Sequence, residues 1–564
     1  MERNRDAVIG GVVVRAYEEL RGRRERASWS EKLEACAYVR HRDCYAGSGV
    51  PEVRLYTSSP ELYFGKYVSG MVGYLFPRSQ NWCKWAPEVG FGGVEMSDGH
   101  AMVLDESTAK VLEAFDSMTF TALSRSNFYS EVKHMMNDWA AMGVGCLSVF
   151  DDGSVLPVYR SEDPQSFVID DDERHWVECY IRKFEMSPSR CLRVYGKGAE
   201  LRYTRQMARA DSKASETGVV LYEAVFERGY FMDPETYGPM EFKGHGKYVH
   251  LIYSETDVEV LMERGYEELP MAVPCRNRDS EKCFYGHGLA EDCLPDMRML
   301  NDAENRKQIA LQKISDPPMV VPYSMEGVFS SKPRAVNYTA DVAQRPMPMQ
   351  AIQDYSGIVA DVAEREEKLK YKMDVTLFET VMSSNDTRKT ATEVTMKENK
   401  SILLLALNID NLLQEMVEPV LKRTLKIIIR NGSLESGQKQ AFLKLVDTLH
   451  IEMNSVFVKR LNAYIQAEGL AGSLQYLQLL ASIAPNSIQA IDTDKYARLL
   501  LSSCGLPSFL FKGEKELQAE REQMAEMQRM QLESQLGQAN AKANADNAKA
   551  ESLGANGQGG NGGW

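Results

Sequence analysis

The residues best suited to chemistry in this 564-residue chain are its glycine-lysine, histidine and acidic clusters. Spacing counts against each of them. A nucleotide-binding loop needs Gly-x-x-x-x-Gly-Lys-Ser/Thr, so that backbone N–H groups cradle phosphates and a hydroxyl holds Mg²⁺. Gly244-His245-Gly246-Lys247-Tyr248 has neither that spacing nor the hydroxyl. Gly143-Val144-Gly145 is too short for a dinucleotide fingerprint and follows a helical stretch rather than a strand, so it reads as a helix stop. The eight histidines (His41, His100, His134, His175, His245, His250, His287, His450) are scattered without metal-ligand spacing. The acidic run Asp170-Asp171-Asp172-Glu173 could hold a divalent cation but reads better as a solvated turn between strands. No Gly-x-Ser-x-Gly elbow occurs. No catalytic residue, metal site or cofactor is therefore nominated, and an enzyme is not expected.

One polar segment stands apart. Ser383, Ser384, Asn385, Asp386, Thr387, Arg388 and Lys389 lie between two helical runs, with two adjacent cations among small hydroxyl residues. By itself such a segment is a connector, and Thr390 or Thr392 could N-cap the following helix with Glu393 in support.

The elements around it are legible as periods and stops. Residues 7–42 read as helical, with Arg15, Arg21, Arg23, Arg24 and Arg26 as a solvated basic stripe. Residues 60–76 read as a tightly packed helix stopped by Pro77. Two amphipathic helices span 107–141, with Ser107 or Thr108 as N-cap and Gly143 as the stop. The period then changes. Residues 146–150, 155–159, 166–169, 177–184, 219–227 and 248–253 are short, β-branched or aromatic, and separated by Asp/Gly/Pro clusters, which predicts antiparallel strands.

Helix returns at Leu289–Ser315 and ends at Asp316-Pro317-Pro318. Residues 319–350, with Pro322, Pro333, Pro346 and Pro348, should be extended strands and turns. A further helix follows at 353–374, and a longer one over 390–430 should kink near residues 416–418, just before Pro419, and stop at Asn431-Gly432. Residues 436–503 read as mainly helical. Residues 537–564 are Ala, Asn, Gly and Lys without core-forming side chains and should be disordered in isolation.

Bulk composition agrees with a multi-domain α+β protein, mainly helical. Hydrophobic residues make up 44% and charged residues 26%, near the globular average. A net charge of −14 argues against a protein that coats nucleic acid through a basic surface. No apolar run is long and uninterrupted enough to span a membrane. The ten cysteines lack Cys-x-x-Cys spacing and read as reduced, buried thiols of a protein folded in cytosol.

Five segments, in order, resemble the head-to-tail connector, or portal, family of short-tailed bacteriophages. They are SNFYSEVKHMMNDWAAMGVGCLSVF (126–150), YGHGLAEDCLPDMRMLN (285–301), DPPMVVP (316–322), TRKTATEV (387–394) and EPVLKRTLKIIIRNG (418–432). The resemblance covers roughly residues 10–510 and implies a ring, usually a dodecamer, at one capsid vertex of the virion, assembled in the host cytoplasm. It implies a wing from residues 1–286 and 376–470, stem helices at 287–315 and 353–375, and a clip at 316–352. Residues 376–392 would carry the tunnel loop, 471–510 the crown, and 511–564 a helical then disordered tail.

By the same resemblance, Ser383 to Lys389 face DNA non-specifically. Met319, Val320, Val321, Tyr323, Val328, Phe329, Lys332 and Arg334 dock the terminase large subunit and later tail adaptor or tube proteins. Capsid and scaffolding proteins are further expected partners, and no membrane is involved. Another ring-forming adaptor or tail protein, or a nuclease subunit of the packaging machinery, is the alternative reading.

Composition yields one test by itself. Residues 537–564 cannot bury enough apolar surface to offset their ordering entropy. Limited proteolysis of the purified protein should therefore remove this tail first and leave its sedimentation unchanged. Protection of the tail on a gel time course would contradict this.

Overall fold

The computed structural model describes residues 2–26, 29–39, 53–87, 106–174, 176–196, 200–209, 218–233, 238–278, 285–327, 330, 337–338, 341, 346–348, 355–376, 411–432, 435–453 and 530. All but Met530 belong to one compact unit, Met1–Lys459; Arg460–Trp564 form a second. The fold is mixed helix and strand, as expected. The residues nominated as tunnel loop (Ser383 to Lys389) and crown lie outside the described residues, as do Val328, Phe329, Lys332 and Arg334 of the clip.

Helices α1 (Glu2–Arg26), α2 (Trp29–Val39) and α3 (Ser59–Leu75) lead to strand β1 (Cys83–Pro87) and helices α4 (Glu106–Arg125) and α5 (Phe128–Met142). Helix α4 opens at Glu106, so Ser107 and Thr108 sit in its first turn rather than capping it. Helix α5 stops where expected: Gly143 takes φ +83 and its N–H bonds the Trp139 carbonyl.

The β region follows: β2 (Leu147–Phe150), β3 (Val158–Ser161), β4 (Phe167–Asp171), β5 (Val177–Met186), short helices α6 (Pro188–Tyr195) and α7 (Arg202–Arg209), β6 (Val219–Glu227), β7 (Tyr248–Ser254), β8 (Glu259–Tyr266) and β9 (Met271–Ala272). It forms a five-stranded antiparallel sheet ordered β4-β5-β6-β7-β8 and a three-stranded sheet ordered β3-β2-β9. The strand expected at 155–159 begins only at Val158. Asp151 and Asp152 accept the N–H groups of Gly153 and Ser154, turning the chain first.

Helix α8 (Leu289–Ser315), the strand pair β10 (Met319–Val320) and β11 (Met347–Pro348), and helix α9 (Tyr355–Lys372) come next. A wide π turn at Leu413–Val417 leads into α10 (Glu418–Asn431). It lies where the sequence places a kink. Pro419 has no N–H to donate, and the Glu418 N–H reaches back five residues to Leu413. Beyond α11 (Ser436–Asp447), the chain departs from the helical expectation. Strand β12 (Leu449–Met453) pairs antiparallel with β1, from Cys83↔Met453 to Pro87↔Leu449, a partner hundreds of residues away.

Two cores result. In one, Ile9, Val13, Tyr17 and Leu20 of α1 pack on Val168, Ile181, Tyr222 and Leu251 of the five-stranded sheet. The basic stripe of α1 is only partly solvated. Arg24 is buried, donates to the carbonyls of Pro164, Gln165 and Phe167, and lies 4.5 Å from the Trp29 ring centroid. The acidic run is partly engaged too: Asp170 accepts from Arg23 and from the Tyr230 hydroxyl.

The larger core joins α2, α3, α5, α8 and α10 around Trp82, Phe128, Trp139 and Tyr159. Here the chain crosses itself at glycines. Gly286 has φ +62, and a Cβ there would lie 1.9 Å from the Arg276 carbonyl oxygen. One at Gly288 would lie 2.1 Å from that of Ala141. Gly286→Ala should destabilise the protein by on the order of 2–4 kcal/mol in urea unfolding. Gly153→Ala, at φ +85 but with open space around it, should cost only about 1 kcal/mol. Equal effects would mean that the crossing is not under steric constraint.

Candidate functional site

The 27 residues of α8 make a strut about 40 Å long. Its start is specified locally. Gly288 is extended, its N–H donates to the Glu291 carboxylate, and Glu291 and Asp292 place negative charge in the first turn, where the helix dipole favours it. Lys313 complements the last turn.

The start is also tied to the core. The buried Lys32 ammonium of α2 donates to the carbonyls of Met142 (3.0 Å) and Gly286 and pairs with Glu291 at 2.9 Å. Arg276 pairs with Asp292 at 3.0 Å and donates to the His287 carbonyl at 2.8 Å. Nearby, burial pushes the Tyr67 phenol up to about 12.

Helix α9 lies against α8. Asp296 receives Lys368 at 2.8 Å and also Lys372, one turn further along α9. Burial alone would raise the Asp296 carboxyl, but the two ammonium groups outweigh it and hold it below its ordinary value. Glu34 of α2 grips Arg298, and Ser59 of α3 donates to Glu366 of α9.

This anchoring covers only the near half of α8. Beyond Ala303, only Ala310 is buried, whereas Ile309, Leu311 and Ile314 are exposed; Val359 and Tyr371 of α9 are exposed as well. At the far end, β10 and β11 pair antiparallel, Met319↔Pro348 and Val320↔Met347. Of the nominated clip residues, Met319 and Val321 are half-buried, Val320 is 61% exposed and Tyr323 is 90% exposed. A helix pair that leaves these apolar side chains in solvent is suited to contact with another surface.

Residues 14–510 match the family described as bacteriophage head to tail connecting protein. The chain belongs to that family. It is a structural connector rather than an enzyme. It is 23% identical over 431 residues to a protein named probable portal protein of Bordetella phage BPP-1, covering 75% of this chain and 76% of that one. It is 22% identical over 453 residues to the portal protein of Salmonella phage epsilon15, covering 78% of each. No helix among the described residues is long and apolar enough to cross a membrane.

Sequence reasoning found the helices of this connector but not the groups that fasten them. Lys32 looked like any helical lysine, and nothing local marks it for burial. Asp296 carried a weak signal: Lys368 and Lys372 are four residues apart and so share one face of α9.

The Asp296 cluster has a pH signature. Its folded carboxyl binds a proton less tightly than the unfolded one. The stability it contributes is therefore fully present above about pH 4 and is lost as pH falls through the depressed folded value. With both lysines largely in solvent, the contribution is about 1 kcal/mol or less. Asp296→Asn should be less stable than wild type at neutral pH, with the gap closing at acid pH. A gap that stays constant in urea titrations would refute the ion-pair role.

Proposed function

We propose that copies of this chain close into a ring, by family precedent a dodecamer, that carries double-stranded DNA through its centre at one capsid vertex of the virion. The observation that carries the reading is the apolar surface left exposed along the helix pair. Ile309, Leu311, Ile314 and Val359 are exposed toward the far ends of the two helices and Tyr371 near the base of α9, whereas the near half of α8 belongs to the core. Neighbouring copies would bury this surface, and a head-to-tail contact that closes makes a ring.

In this reading α8 and α9 are the stem, and residues 316–352 are the clip that engages the terminase large subunit and afterwards tail adaptor or tube proteins. The α1–β9 region, with α10 and α11, is the wing, facing capsid and scaffolding proteins. Twelve copies at −14 each would carry about −168, a field that keeps duplex DNA from adhering to the wall. Arg388 and Lys389, in the segment Ser383 to Lys389, are the cations proposed to steady it by non-specific phosphate contact.

The β10–β11 pairing brings the ends of the clip side by side, so it can be excised cleanly. Replacing residues 321–346 with an Asn-Gly turn should leave particles that image as rings with a central hole but fail to bind terminase. Wild-type particles without a ring form would sink the ring reading; truncated rings that package DNA normally would sink the clip assignment.

A further inference from the structure

A cleft of about 710 Å³ opens on the face of the five-stranded sheet opposite α1. That size is within the range of about 300–1,000 Å³ typical of sites that enclose a ligand. Its floor is a closed ion cluster. Arg160 and Arg182 both pair with Glu162 and Glu223, and His250 Nε2 lies 3.0 Å from Glu223. Aromatic rings of Phe184, Tyr195 and Tyr266 line it. At the rim stand Arg190 and Arg264, exposed and without an acidic partner among the described residues. This combination calls for a ligand with an aromatic body and a single carboxylate. Continuous phosphate would meet the cleft's own Asp151, Glu185 and Glu223, so a nucleic acid backbone fits poorly.

The same chain carries a group of that chemistry elsewhere. In the β4–β5 turn, Asp172 accepts the N–H groups of Arg174 and Trp176, both at 2.8 Å, and its own N–H bonds the Trp176 carbonyl. Asp172 thus ties residues on both sides of the turn together, with Glu173 exposed and Trp176 57% exposed. A large indole left in water beside an exposed carboxylate gains by being covered in a partner's cleft.

We infer that the Glu173/Trp176 turn of one copy inserts into the Arg190/Arg264 cleft of the next, an interface outside the stem helices. The inference rests on the proposed assembly of copies and names one of its contacts. The turn and the cleft are different surfaces, so the contact is heterologous, the type that propagates around a ring.

Charge exchange in the full-length protein tests it. Arg190→Glu/Arg264→Glu and, separately, Glu173→Arg should each weaken self-association at least about tenfold in sedimentation velocity. Mixing these two variants, or combining all three substitutions in one chain, should restore it, because carboxylate again meets guanidinium. Trp176→Ala, at an exposed position that leaves folding intact, should weaken it as well. Variants that associate like wild type, or that are not rescued by the exchange, overturn this contact while leaving the ring reading in place. Wild type that stays monomeric at every concentration overturns both. Loss of binding to a DNA duplex with unchanged self-association would assign the cleft to phosphate and overturn the inference.

Discussion

The buried ammonium of Lys32 is the constraint on which the rest of the structure depends. It is fully enclosed, which is tolerable only because three acceptors surround it: the carbonyls of Met142 and Gly286 and the carboxylate of Glu291. Those acceptors come from three places: the end of α5, the turn before α8, and the first turn of α8. One side chain of α2 therefore fixes where the helical entry, the β region and the strut meet. The glycines at 143, 286 and 288 are the steric side of the same junction, since each lets one backbone approach another where a Cβ would collide.

Ion clusters recur wherever distant segments meet. Burial would push the Glu223 carboxyl up, but His250, Arg160 and Arg182 bring it down to about 2; its neighbour Glu162 is raised by burial in spite of two arginines. Arg423 of α10 donates to the Val149 carbonyl of β2 at 2.9 Å and pairs with Glu268. Such pairs add little net stability, because desolvation offsets attraction. Removing one partner is costly, however, so each cluster discriminates strongly between the native arrangement and a slipped one.

Stability is consequently uneven along the strut. The near half of α8 is held by Lys32, Arg276, Asp296 and Arg298, while beyond Ala303 only Ala310 is buried.

The sequence by itself determined what depends on local rules. The bounds of α8 and β6, the stop at Gly143, an irregularity ahead of Pro419 and the end at Asn431-Gly432 all follow from caps, periods and missing N–H groups. Five ordered motifs were enough to reach the family. Only the tertiary structure decided which charges would be buried. Arg24 read as part of a solvated stripe, and nothing in its neighbourhood reveals that three carbonyls of residues 164–167 wait for it. The β1–β12 pairing was invisible for the same reason: hydrogen bonds between strands hundreds of residues apart leave no mark on either strand alone. Local preference is written in neighbouring residues, whereas long-range pairing and the burial of charge are set by chain crossings that no short window contains.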